Sequence, residues 1–129
     1  MYNQATQVYQ KASQVAVSPR ELEANLLMKA AARLQLIHDQ WDNTTFAERD
    51  DVLTYNRKLW TVLVTSATSA DNPLPDELKG NIASLGLFIF KHTMAMMVDP
   101  EPTKLNPLIN INRKIAEGLR AKPLEEDAG

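Results

Sequence analysis

The sequence contains no cysteine, so a disulfide framework and thiolate ligation of a metal are both excluded. Its four glycines are scattered and form no glycine-rich loop that could wrap a phosphate, and no strand leads into a serine elbow. The two histidines, His38 and His92, do not form the His-Glu pattern that a zinc enzyme places on one helix. The sequence therefore predicts a protein that is not an enzyme and that holds no metal or cofactor.

Long hydrophobic runs are also missing. The densest apolar run, residues 85–90, is far shorter than the roughly 20 residues that span a bilayer, and Lys91 follows it directly. Residues 1–4 show no basic stretch leading into an apolar run, as a signal peptide would. We therefore expect a cytoplasmic protein without a membrane-inserted segment.

The charge balance is slightly acidic, with a formal net charge of -2, which argues against wholesale binding to nucleic-acid backbones. Acidic residues are concentrated in residues 39–51 and basic residues in residues 103–123. Either these segments attract each other, or one of them meets a partner, or both are solvated surface. The sequence leaves these alternatives open.

Apolar residues recur at helical spacing in five segments joined by short loops. These segments are residues 2–16, a helix starting at Ser18, a helix from Thr45 to about Thr68, residues 75–98, and residues 106–122. The sequence thus predicts a single all-α domain over residues 1–123, a bundle of about five helices, followed by a short acidic disordered tail over residues 124–129.

Two of the predicted helix starts carry complete capping signals. Ser18 can cap the backbone NH of the third helical residue, Pro19 suits the first helical position, and Glu21 can reach back to the NH of Ser18. Thr45 and Glu48 repeat the same box at the next helix. These positions are the firmest boundaries in the sequence.

Prolines mark the ends of the last two helices. Pro75 favours the first turn of the fourth predicted helix, and the prolines in residues 99–102 should end it. Asn106 and Pro107 then read as the cap and first residue of the last helix.

The fourth predicted helix carries two apolar stripes, whose centres lie roughly 140° apart at 100° per residue. The first stripe consists of Leu78, Ile82, Leu85, Ile89, His92 and Met96, and the second of Ala83, Leu87, Phe90, Met94 and Met97. The helix should therefore be contacted from both sides, and His92 should be packed and hydrogen-bonded. The second stripe is either core, covered by the first or last helix, or a groove for a partner, or a groove that the last helix partly covers until a partner displaces it.

Asn56 is unusual because it lies between Leu53 and Trp60 on the apolar face of its helix. A buried asparagine can fix the register of packed helices at some cost in stability, or it can offer a hydrogen bond to the backbone of a partner. Both interpretations remain open from the sequence.

Several strings resemble the FlaF family of flagellar biosynthesis regulators. They include SPRELEA at residues 18–24, YNRKLWT at residues 55–61, NPLP at residues 72–75 and NIASL at residues 81–85. The resemblance covers about residues 9–119. It implies a small cytoplasmic protein needed for flagellin production or export, which acts beside the translational regulator FlbT and engages flagellin directly, as secretion chaperones do. It carries over no catalytic residues.

The residue pattern agrees with a protein-binding role, because helix-in-groove binding needs an apolar channel with adaptable side chains such as methionine. The predicted binding residues are Leu87, Phe90, Met94, Met97 and Asn56. Flagellin is the expected partner. An adaptor whose main partner is FlbT is the alternative.

Direct RNA binding is the least favoured hypothesis. It would use Arg57, Lys58 and the basic last helix, but the basic residues are scattered and no RNA-binding motif is present. The sequence does not predict an oligomeric state.

Overall fold

A computed structural model describes residues 18–121 and contains four α-helices there. They are α1 (Pro19–Asp39), α2 (Phe46–Ala67), α3 (Asp76–Val98) and α4 (Leu105–Arg120), with 3-10 turns at Trp41–Asn43 and Pro102–Lys104. No strand occurs within residues 18–121, so the all-α class is confirmed. The number of helices in this part is four rather than five, because the predicted helix over residues 2–16 lies outside the described residues. So does the predicted tail.

The capping signals act largely as predicted. The Ser18 side chain accepts a hydrogen bond from the backbone NH of Glu21 at 3.1 Å. Thr45 and Glu48 form the complete reciprocal box, at 3.1 and 2.8 Å. The Glu21 carboxylate is the exception, since its Oε1 lies 3.6 Å from Nε of Arg120 on α4 instead of returning to Ser18. A long-range ion pair thus replaces half of the first predicted box.

The starts of α3 and α4 differ from the predictions by small shifts. Pro75 is the N-cap of α3 and not its first residue. The last helix begins at Leu105, so Asn106 is not its cap and Pro107 is its third residue. The cause is the 3-10 turn before it, which leaves Lys104 already in a helical conformation. Pro107 still lies in the first turn, where its missing NH is not needed.

Each helix has a different packing environment. α1 packs most extensively against α4, and α2 packs against both α1 and α3. The core consists mainly of large apolar side chains from all four helices, including Leu27, Leu34, Trp60, Ile82, Ile89, Met96, Leu108 and Leu119. α3 rests chiefly on α2 and has few contacts with α4. It is therefore the least covered helix of the bundle.

α2 and α3 approach each other closely at Gly86. A Cβ atom at this position would collide with Cγ2 of Val64 and would lie 3.7 Å from the ring of Trp60. Because glycine lacks that atom, the two helices can pack with their backbones near one another. Gly86 thus sets how deeply the inner face of α3 sits on α2.

α3 is long and apolar enough, by length and composition, to cross a membrane. The run at residues 85–90 alone did not predict this. Ile82, Ile89 and Met96 of the same helix are buried in the core, and a core helix of a bundle meets the same criterion. The unusual feature is that so apolar a helix has a largely uncovered side.

Candidate functional site

The two apolar stripes of α3 have opposite environments. In the first stripe Ile82, Ile89 and Met96 are buried. In the second stripe Leu87 is 59% exposed, Met94 66% and Met97 50%. Val98 continues this exposed surface to the end of the helix. We call Leu87, Met94, Met97 and Val98 the outer face of α3.

α4 does not cover the outer face. Its contacts with α3 lie on the first stripe. Leu78 lies beside Gly118, and His92 Nε2 lies 2.7 Å from the backbone oxygen of Lys104, the residue directly before α4. Among the alternatives that the sequence left open for the second stripe, coverage by the last helix does not agree with these contacts. The prediction that His92 is packed and hydrogen-bonded is confirmed, and its ring also stacks on Phe88 at 5.0 Å between centroids.

A shallow cleft lies at the C-terminal end of the outer face, between the start of α2 and the end of α3. Its lining is mainly apolar and comprises Trp41, Phe46, Arg49, Asp50, Leu53, Met96, Met97 and Pro100. Phe46 is 65% exposed at its edge. Since Met97 belongs to both the cleft and the outer face, the two form one continuous apolar surface.

The polar side of the cleft is held by Arg49. Its guanidinium lies 4.5 Å from the centre of the Trp41 ring, and it donates hydrogen bonds to the backbone oxygen and Oγ1 of Thr44 at 3.3 and 3.1 Å. A cation over an aromatic face is attracted by the ring quadrupole. Trp41 is thereby fixed as a wall of the cleft.

Lys104 holds the loop that follows α3 in place at the edge of the cleft. Its Nζ donates to the backbone oxygen of Asp99 at 2.7 Å and pairs with the Asp99 carboxylate at 3.0 Å. The hydrogen bond to Asp99 raises the pKa of Lys104. This contact helps to fix the loop that follows α3 beside Met97.

The remaining predicted binding residues are not on this surface. Phe90 is half-buried and packs against the core. Asn56 is fully buried, and its Oδ1 accepts a hydrogen bond from Nδ2 of Asn112 at 2.7 Å. Asn112 Oδ1 in turn accepts from the indole NH of Trp60 at 2.8 Å. The contacts favour the register interpretation of Asn56, because its side chain joins α2 to α4 and does not face outward.

Other surface residues were missed by the sequence reasoning. Phe46, Val62 and Val98 are each at least 64% exposed, although the apolar pattern alone favours burial for such side chains. The exposure of Val98 could have been predicted from helix geometry. Val98 follows Lys91 by seven residues, and Lys91 lies on the same side of α3 as Leu87. Asn112, the partner of Asn56, gave no sequence signal beyond its position among isoleucines.

The surface is suited to binding rather than to chemistry. Within residues 18–121 no group of three or more His, Asp or Glu side chains could hold a metal ion. The outer face presents methyl groups and thioethers, with Lys91 exposed among them. Contiguous exposed apolar side chains of this kind mark sites of interaction with other proteins or with membranes.

A family model described as "Flagellar protein FlaF" matches residues 5–119. The chain belongs to the FlaF family. The match includes the four described helices up to Leu119 of α4, so the outer face and the cleft both lie within the FlaF region. No curated protein and no solved structure matches the chain. Membership in the FlaF family therefore assigns the protein to flagellar biology, and the geometry of α3 supplies the candidate binding surface.

Proposed function

We propose that this FlaF-family protein is a cytoplasmic secretion chaperone that binds flagellin through the outer face of α3 and supports its synthesis and export. The observation that carries the proposal is the exposure of Leu87 and Met94 on a helix whose opposite side is core. Family membership supplies the flagellar context.

The shape of the surface suits an apolar helix of a partner. Leu87 and Met94 are seven residues apart, so they lie on nearly the same line along α3. Unbranched methionine side chains adapt to irregular partner surfaces. The cleft beside Met97 offers a place for a larger apolar side chain, with Trp41 and Phe46 as its walls. An amphipathic flagellin segment laid along α3 would use both features.

The proposal is tested by placing a charge on the outer face. Met94→Glu should weaken flagellin binding by at least tenfold, about 1.4 kcal/mol, because a partner would have to desolvate the carboxylate. Asn110→Glu is the matched control, since Asn110 is exposed on α4 and the substitution also adds one negative charge. Titration calorimetry with purified flagellin measures binding, and thermal melts by circular dichroism verify folding.

Normal flagellin binding by folded Met94→Glu protein would show that the outer face is not the binding surface. No affinity of the wild-type protein for flagellin at micromolar concentration would reject the chaperone function altogether. The adaptor hypothesis would then lead, and the same two variants would be titrated against FlbT. A gel-shift assay with flagellin leader RNA tests the least favoured hypothesis in parallel.

A further inference from the structure

The end of the bundle that contains the cleft is strongly acidic. Residues 38–51 and 99–104 form the two sides of this end, and they hold seven Asp and Glu residues against two cations, Arg49 and Lys104. The whole chain has a formal net charge of only -2, so the rest of the chain is net positive. The negative charge is therefore concentrated beside the cleft.

The two cations do not neutralise this end. The Arg49 guanidinium lies over the Trp41 ring. Lys104 Nζ lies 3.0 Å from the Asp99 carboxylate and 3.6 Å from that of Glu101, so one lysine serves two acidic residues. An excess of negative charge thus remains at the cleft.

Asp50 is the acidic residue that lines the cleft itself. It is half-buried, and among residues 18–121 it takes part in no salt bridge. A partner that fills the cleft would remove water from this carboxylate, which is costly unless the partner supplies a group that pairs with it. A lysine or arginine does this best, because its hydrogen bond to a carboxylate is charge-assisted.

The apolar part of the cleft favours the same residue types. Phe46 is 65% exposed at the edge of the cleft, and Trp41 forms one of its walls. The long aliphatic stem of a lysine or arginine can lie along such aromatic surface while its charged end stays in a polar environment. The cleft thus combines apolar walls with a negatively charged edge.

We propose that the cleft selects a partner segment in which a lysine or arginine lies next to a large apolar side chain, so that the apolar side chain enters the cleft while the cation pairs with Asp50. Flagellin as the protein that carries this segment rests on the proposed function, whereas the charge preference of the cleft does not. The acidic segment at residues 39–51 then meets a partner, one of the alternatives that the sequence left open. Phosphate groups of a nucleic acid would be repelled by this end of the bundle.

Two neighbouring aspartates allow a matched test in the full chain. Asp50→Asn keeps the shape of the side chain and removes its charge, so flagellin binding should weaken about fivefold. Asp51→Asn makes the same change of charge, but Asp51 pairs with Arg33 on α1 at 3.2 Å and does not line the cleft, so binding should change by less than about twofold. Titration calorimetry at about 0.15 M salt, where distant charges are screened, compares the variants. Equal affinities of the two variants would overturn the pairing with Asp50.

A second test does not need flagellin. The probes are two synthetic amphipathic helical peptides with the same apolar side, including one phenylalanine, which differ only in having a lysine or a glutamate one turn from that phenylalanine. The lysine peptide should bind the wild-type protein about tenfold more tightly, and Asp50→Asn should remove most of this difference. Amide chemical shifts of isotope-labelled protein near Phe46 and Met97 measure the binding. Equal affinities of the two peptides, or no binding of the lysine peptide, would overturn the charge preference.

The two tests distinguish failure of this inference from failure of the proposed function. If the wild-type protein does not bind flagellin but prefers the lysine peptide, the proposed function fails and the charge preference of the cleft stands. If flagellin binds and Met94→Glu weakens the complex, whereas Asp50→Asn and Asp51→Asn bind equally well, the proposed function stands and the pairing with Asp50 is rejected.

Discussion

α3 and α4 show that apolar composition and burial do not run in parallel in this bundle. α4 has 16 residues and buries seven of them, in a stripe against α1. α3 has 23 residues and buries five, although it is the helix apolar enough to pass as a membrane span. α4 thus carries about as many apolar residues as its packing uses. α3 carries more apolar residues than its packing uses, and the packing of residues 18–121 does not account for these extra apolar residues.

The largest expected effect separates the two sides of α3. Met96→Ala should lower the free energy of unfolding by about 2–5 kcal/mol, because Met96 is 1% exposed and its loss leaves a cavity. Met94→Ala, two residues away but 66% exposed, should stay within about 0.5 kcal/mol. Urea unfolding followed by circular dichroism compares them. Similar losses for both variants would mean that the outer face is also core.

The next effect concerns the polar junction of α4. Asn112→Ala should lower the free energy of unfolding by about 3 kcal/mol, because it leaves the indole NH of Trp60 and the carboxamide of Asn56 buried without this partner. Asn110→Ala is the control on the exposed side of α4. The same urea titration measures both variants. A loss below about 1 kcal/mol would show that the junction adds little to the packing of α4.

A smaller effect tests the close contact between α2 and α3. Gly86→Ala should destabilise the protein by about 2 kcal/mol, because the added methyl group must displace Val64. Gly80→Ala on the same helix meets no atom within 4 Å and should stabilise it by up to about 1 kcal/mol. Thermal melts distinguish the two. Adding Val64→Ala to Gly86→Ala should relieve the collision and recover stability. A further loss of stability in the double variant would show that Val64 is not the source of the strain.

The smallest effect has the opposite sign. Thr93 is buried and its hydroxyl has no hydrogen-bond partner, as is also true of Asn56 Nδ2. Thr93→Val keeps the shape and removes the unpaired hydroxyl, so the free energy of unfolding should rise by up to about 1 kcal/mol. Thr65→Val, exposed on α2, controls for the change of residue type. A clear loss on Thr93→Val in a urea titration would show that the Thr93 hydroxyl has a hydrogen-bond partner in the folded protein.

Local signals explain which features of the fold were predictable. Ser18 and Thr45 contact backbone groups three residues away, so nearby sequence alone contains the information for those boundaries. The start of α4 was misjudged by two residues because the preceding 3-10 turn makes Lys104 helical, and neither Asn106 nor Pro107 indicates this. Helix caps were predictable because their partners are close in the chain.

The candidate site was only partly predictable, because periodicity gives the sides of a helix but not its neighbours. The spacing of Leu87, Met94 and Met97 placed them on one side of α3. It could not show that α4 would pack on the opposite side, a choice set by contacts such as His92 with Lys104. The sequence marked Asn56 as unusual and also predicted it as a binding residue, whereas its side chain is buried. Its partner Asn112 lies 56 residues away, and no local pattern connects the two.

The two tryptophans of the chain lie in contrasting positions. Trp60 is fully buried, with its indole NH bound to Asn112, whereas Trp41 lines the cleft under the Arg49 guanidinium. Indole emission depends on solvent contact and on nearby charge, so the unlabelled protein carries two intrinsic optical reporters. The fluorescence of Trp60 should report on the integrity of the core, and the fluorescence of Trp41 should report on occupancy of the cleft. Trp41→Phe and Trp60→Phe proteins would separate the two signals.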